Sequence, residues 1–117
     1  MTDLPCFRVT KVDDWLRISR PGDSMPHVWL PKWACDDTRF TPLERNFLYV
    51  GFRLCVGPDP PRDALFIGSA RRLSQRFGLS VALFRLIRDR LITKGVLVVD
   101  PIGHGLDAHH LVGPPCP

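Results

Sequence analysis

The chain has 117 residues, 44% of them hydrophobic, with sixteen Lys and Arg against twelve Asp and Glu. That length suits one compact domain with a short extension and leaves no room for two full cores. No signal-like segment opens the chain and no apolar run approaches the length of a membrane span, so a cytoplasmic setting without membrane contact is expected.

The positive charge is unevenly spread. Residues 1–40 carry six cations and six acids, residues 41–95 carry ten cations and four acids, and residues 96–117 carry two aspartates and no Lys or Arg. A cationic middle segment suits a polyanionic partner, although solvated helix faces are often basic too. Cys6, Cys35, Cys55 and Cys116 form no C-x-x-C pair, which excludes a zinc knuckle or dithiol redox motif and leaves the thiols as small apolar fillers. Twelve prolines gather in the first third, in Gly57–Pro61 and at the end, marking irregular backbone.

In chain order, Trp15–Ser19 and His27–Leu30 flank the turn-forming Arg20-Pro21-Gly22-Asp23 and read as a β-hairpin, while Asp13-Asp14 equally suits the start of a short helix. Thr41-Pro42-Leu43-Glu44 then carries a capping box with proline at the first helical position. The helix it opens is expected to run to about Val56, to bury Leu43, Phe47, Val50 and Leu54 with Leu48 and Cys55 alongside, and to stop at Gly57-Pro58. Ala64–Ile67 suits a brief strand. Ser69 caps a short helix through Phe77 that buries Ala70, Leu73 and Phe77. Gly78 breaks it, Leu79 points inward, and Ser80 caps a third helix that buries Leu83, Phe84, Ile87 and Leu91 and ends at Gly95. Val96–Val99 reads as a strand, Pro101–Asp107 as a loop, and His109–Val112 as the returning strand; the tail from Gly113 is expected to fray.

The fold class expected is therefore α+β, mainly α: a winged helix-turn-helix of three helices and a β-hairpin wing over residues 41–112. Residues 1–40 form an extension, a hairpin or a dimer arm, and residues 113–117 a flexible tail. The sharpest evidence is the spacing from Leu73 to Gly95, two short helices meeting across Gly78-Leu79-Ser80. The run Ala70-Arg-Arg-Leu-Ser-Gln-Arg-Phe-Gly-Leu-Ser80, followed by Phe84, Ile87, Leu91 and Lys94-Gly95-Val96-Leu97, resembles the winged helix-turn-helix of bacterial regulators of the GntR and MarR families. Upstream, Leu30-Pro31-Lys32-Trp33, Asp36-Asp37 and Phe40-Thr41-Pro42-Leu43-Glu44 are similar to the N-terminal domains of actinobacterial, plasmid and phage helix-turn-helix proteins, including some replication initiators. The resemblance covers about residues 28 to 100 and implies sequence-specific binding of double-stranded DNA, transcriptional regulation and a homodimer.

On that footing, Arg85 and Arg88 lie off the buried stripe of the third helix. Arg85 is the candidate for a guanine contact, and Val81 and Ala82 for a thymine methyl. Arg71, Arg72 and Arg76 are placed for phosphates, and Ser69 and Ser80 are helix caps first and phosphate donors second. The wing carries His104, His109 and His110 where related wings carry Arg or Lys, which suggests a wing that gains charge near pH 6.5. Adjacent histidines poorly share one ion, so neither a metal nor another cofactor is expected. Trp15, Trp29 and Trp33 fit a dimer interface or packing over the first long helix equally well. No Ser-His-Asp order, phosphate loop or H-E-x-x-H occurs, the aspartate pairs sit in turn-like contexts, and an enzyme is not expected. Two other functions fit: a protein-interaction adaptor, favoured by the apolar Val81-Ala82-Leu83 start, and the DNA-recognition part of a plasmid or phage replication system.

Overall fold

A computed structural model describes residues 8–12, 15–19, 28–55 and 64–115. Three strands come first, β1 (Arg8–Val12), β2 (Trp15–Ser19) and β3 (Val28–Pro31), paired antiparallel in that order. A one-turn helix, α1 (Lys32–Asp36), leads to α2 (Pro42–Leu54). Then follow β4 (Leu65–Gly68), α3 (Ala70–Phe77), α4 (Val81–Thr93), β5 (Leu97–Gly103) and β6 (Leu106–Leu111). The second sheet has the order β4-β6-β5, antiparallel throughout. Among the described residues the protein is thus an α+β fold of four helices and two three-stranded antiparallel sheets. The N-terminal segment expected as a hairpin is a three-stranded meander; the Asp13-Asp14 pair, the Arg20–Asp23 turn and the Gly57-Pro58 stop lie outside the described residues.

Caps written in the sequence set the helix ends. The Glu44 amide donates to Thr41 Oγ1 at 3.2 Å and the Thr41 amide to Glu44 Oε1 at 2.7 Å, a complete capping box. Ser69 and Ser80 accept from the amides of Arg72 and Leu83 at 3.2 and 3.1 Å. Gly78 takes φ +68°, and the Leu79 amide donates to Ser74 O at 2.9 Å, closing α3 with a left-handed residue that suits glycine.

The buried face of α2 is rotated from the expected stripe. Leu43 is 48% exposed, whereas Glu44, Phe47, Leu48, Gly51 and Phe52 are buried. The cause is the first sheet, which covers a flank of α2 that helical periodicity alone assigns to solvent. All four residues of β3 are buried, and Trp15 and Trp33 meet the Phe52 ring edge-on at 5.8 and 6.1 Å. These two tryptophans are core packing within one chain. Gly51 faces the other sheet, where a Cβ would stand 3.0 Å from the Phe66 ring. Between the helices lies an aromatic cluster: Phe47 sits 4.5 Å from Phe77 and 5.3 Å from Phe84, and Phe66 lies 5.8 Å from Phe77 (ring centroids).

The expected loop Pro101–Asp107 is instead most of a hairpin. β5 continues to Gly103 and only His104 and Gly105 turn the chain, with φ of +57° and +73°. Positive φ at both central residues gives the mirror-image turn that matches strand twist. Pro101 pairs with Asp107 and Gly103 with Leu106, so Ile102 is the extra residue of a bulge, which accommodates a proline that has no amide to donate. The tail, expected to fray from Gly113, is packed as far as Pro115, which is buried; at Gly113 a Cβ would fall 2.5 Å from the Trp33 indole. Cys35 and Cys55 are free thiols; burial raises the pKa of both, that of Cys55 to about 12, so they stay protonated at neutral pH.

Candidate nucleic-acid interface

The turn at Gly78 joins α3 to α4 so that each helix buries one face and leaves the other to solvent. Leu73, Ser74 and Phe77 anchor α3, and Phe84, Ile87 and Leu91 anchor α4. Arg71, Arg72 and Arg76 are exposed on α3, and Arg85 and Arg90 on α4. None of these five forms an ion pair with a described residue, and Asp89 is the one acid on these two helices. Ser80 and Ala82 are exposed at the start of α4, Val81 is half-buried, and His104 is exposed at the tip of the hairpin. Leu86 and Ile92, 48% and 41% exposed, put apolar surface on the same outer side of α4.

Arg88 departs from its expected place in solvent. Its side chain is 16% exposed, the guanidinium carbon lies 5.7 Å over the Phe84 ring, and Nη1 is 3.7 Å from Asp107 Oδ2 on β6. Arg88 falls on the flank of α4 that the second sheet crosses, four residues after buried Phe84, so it fastens the hairpin to the helix. Asp107 is the partner that sequence reading missed. It carried no signal, because a segment read as a loop has no register to place it beside α4.

His109 also leaves the expected set of exposed wing histidines. It is fully buried, its ring stacked on Phe66 at 4.7 Å with 4° between planes. Burial first, and then the Arg88 guanidinium, hold its pKa below the ordinary histidine value against the opposing pull of Asp107. His109 is therefore neutral at pH 7 and adds no charge to the hairpin. The unfolded chain takes up this proton near pH 6.5 and the folded chain only at lower pH, so stability is full above about 6.5 and falls as pH drops toward the folded value. His109→Phe keeps a ring on Phe66 and is expected to flatten that limb of a urea-midpoint profile between about pH 7 and about pH 5. His110 lies on the outer face of the sheet with Nε2 3.5 Å from Asp100 Oδ2. Among the described residues no three His, Cys, Asp or Glu gather closely enough to hold a metal ion, and no helix is long and apolar enough to cross a membrane.

The residues left to solvent are thus the arginines of α3, with Ser80, Ala82 and Arg85 at the start of α4 and His104 on the hairpin, whereas Arg88 and His109 are packed inward. No protein-family model, curated protein or solved structure matches the chain.

Proposed function

We propose that this chain is a winged helix-turn-helix protein that binds double-stranded DNA, with α4 in the major groove and the β5–β6 hairpin as its wing. The observation that carries the reading is charge balance: α3 and α4 expose five arginines, free of ion pairs to the described residues, against the single acid Asp89. The order of α2, β4, α3, α4, β5 and β6, with β4 bordering the hairpin, supports the same fold. A major groove admits one α-helix, and the exposed side of α4 presents Arg85 and Ala82 to base edges, with Val81 at its margin. Arg71, Arg72 and Arg76 take phosphates, Ser80 lies at the α4 N-terminus beside the backbone, and His104 leads the wing. Arg88 is a positioning residue that holds α4 to β6. Transcriptional regulation by a cytoplasmic homodimer reading two half-sites is the use that fits, since one short helix gives little specificity by itself.

Selection of bound fragments from random duplex DNA, followed by anisotropy titrations across a salt series, tests this. Each of Arg71, Arg72 and Arg76 is expected to contribute about 0.9 to the slope of log K against log salt, and its alanine variant to remove that much. Arg85→Ala is expected to cost about 1–3 kcal/mol on the selected site and to relax one base position. A flat salt dependence overturns the reading. One observation favours a protein-interaction adaptor instead, the exposed Leu86 and Ile92 on the outer side of α4. Partner capture that survives Arg85→Ala but is lost on Leu86→Ser would decide for it.

A further inference from the structure

A cleft of about 690 Å³ is lined by the four residues of β4, by α3 residues that include Arg72 and Arg76, and by Leu54 and Leu106. We infer that this cleft docks an extended acidic segment of a partner protein, which adds a strand to the outer edge of β4. Among the described residues β4 pairs only with β6, so its other edge is left for a further strand to pair with. Nothing in Leu65-Phe66-Ile67-Gly68 defends that edge, for it holds no charge, no proline and no bulge. An extended peptide pairs along such an edge as a helix does not, and alternate side chains then read the two faces.

The faces differ in chemistry. Leu65 and Ile67 stand on one side, Ile67 being 52% exposed. On the other side α3 lies close over the strand, since a Cβ on Gly68 would come within 2.8 Å of Leu73 Cγ. An incoming strand therefore sets one row of side chains against Leu65 and Ile67 and the alternate row beneath Arg72 and Arg76. Apolar residues suit the first row. Acidic ones suit the second, because neither arginine has an ion-pair partner among the described residues. A second copy of this chain is the poorer occupant: its own β4 brings no acid and would set the arginines of two copies against each other.

The full ¹⁵N-labelled chain, without nucleic acid, is titrated with a blocked peptide of about ten residues alternating valine and glutamate, and with its valine–lysine counterpart. The glutamate peptide is expected to saturate below about 1 mM, with shifts centred on the amides of Leu65–Gly68, and the lysine peptide not to saturate. Combined Arg72→Glu and Arg76→Glu are expected to weaken it at least about tenfold. Both side chains are exposed, so the fold is expected to tolerate the exchange; Arg76→Gln alone, expected to weaken binding about threefold, serves if it does not. Failure to saturate, equal binding of the lysine peptide, or an affinity untouched by these variants overturns the inference. So does tighter binding of oligothymidylate at the same amides, which would make the cleft a nucleic-acid groove. Because no duplex is present, the outcome is independent of whether α4 reads DNA.

Discussion

Glu44→Ala is expected to lower the unfolding free energy by about 3 kcal/mol, near the lower bound for breaking a buried ion pair. Glu44 is 1% exposed, and Lys94 Nζ donates to its two oxygens at 2.6 and 2.7 Å and to Arg39 O at 2.9 Å. Lys94 itself is 30% exposed, which keeps the figure at the low end. The same carboxylate accepts the Thr41 amide, so the substitution also opens the capping box of α2, typically worth about 1 kcal/mol. Lys94→Ala strands the carboxylate and is expected to cost as much, and the double variant less than the sum of the two, since both remove one interaction. Burial raises the Glu44 pKa, but hydrogen bonds from Lys94 and Thr41 outweigh it and leave the value below the ordinary carboxylate one. A depressed folded pKa means stability that is present above the unfolded value of 4.5 and lost as pH falls through the folded value. Denaturant midpoints of wild type and Glu44→Gln, compared from neutral pH down through this window, check the sign: the wild-type curve falls toward that of the variant. A Glu44→Ala protein within about 0.5 kcal/mol of wild type would place the pair among ordinary surface contacts.

The sequence revealed half of this pair. Thr41-x-x-Glu44 announces a capping box because its partners are three residues apart, and the caps at Ser69, Ser80 and Gly78 are legible for the same reason. Lys94 is fifty residues from Glu44, and nothing local says that the end of α4 returns to the start of α2. The same limit hid the roles of Arg88 and His109. On a helical wheel Arg88 falls off the apolar stripe, and only the second sheet crossing that flank turns it inward. His109 alternates with His110 along β6, so one of the two had to face the core; which one depends on the register set by the His104-Gly105 turn. Pro101 was the misleading residue there, because a proline ordinarily ends a strand and here sits beside a bulge. The arginines of α3 and Arg85 lie in the exposed positions that periodicity gives them, since short-range geometry alone decides them.

That exposed surface is only as well oriented as the packing beneath it, and Phe84→Ala is expected to cost about 3–5 kcal/mol of stability. Phe84 is fully buried, with ring centroids 5.3 Å from Phe47 on α2, 5.2 Å from Phe77 on α3 and 6.2 Å from His109 on β6. It also carries the Arg88 guanidinium on its face. One side chain thus joins α4 to both other long helices and to the sheet, and its removal leaves a cavity that no single element closes by shifting. Phe84→Leu keeps most of the volume and is expected to lose clearly less. Leu86→Ala, two residues along on the solvent side, is expected to change stability by no more than about 0.5 kcal/mol. Urea titrations of the three variants rank them. Residues one apart on a helix differ by about 100° in direction, so the depth of Phe84 is what turns Arg85 outward. If Phe84→Ala and Leu86→Ala proved equally mild, α4 would not be seated on its Phe84 face, and an arginine aimed at a base edge would have no fixed direction from which to meet it.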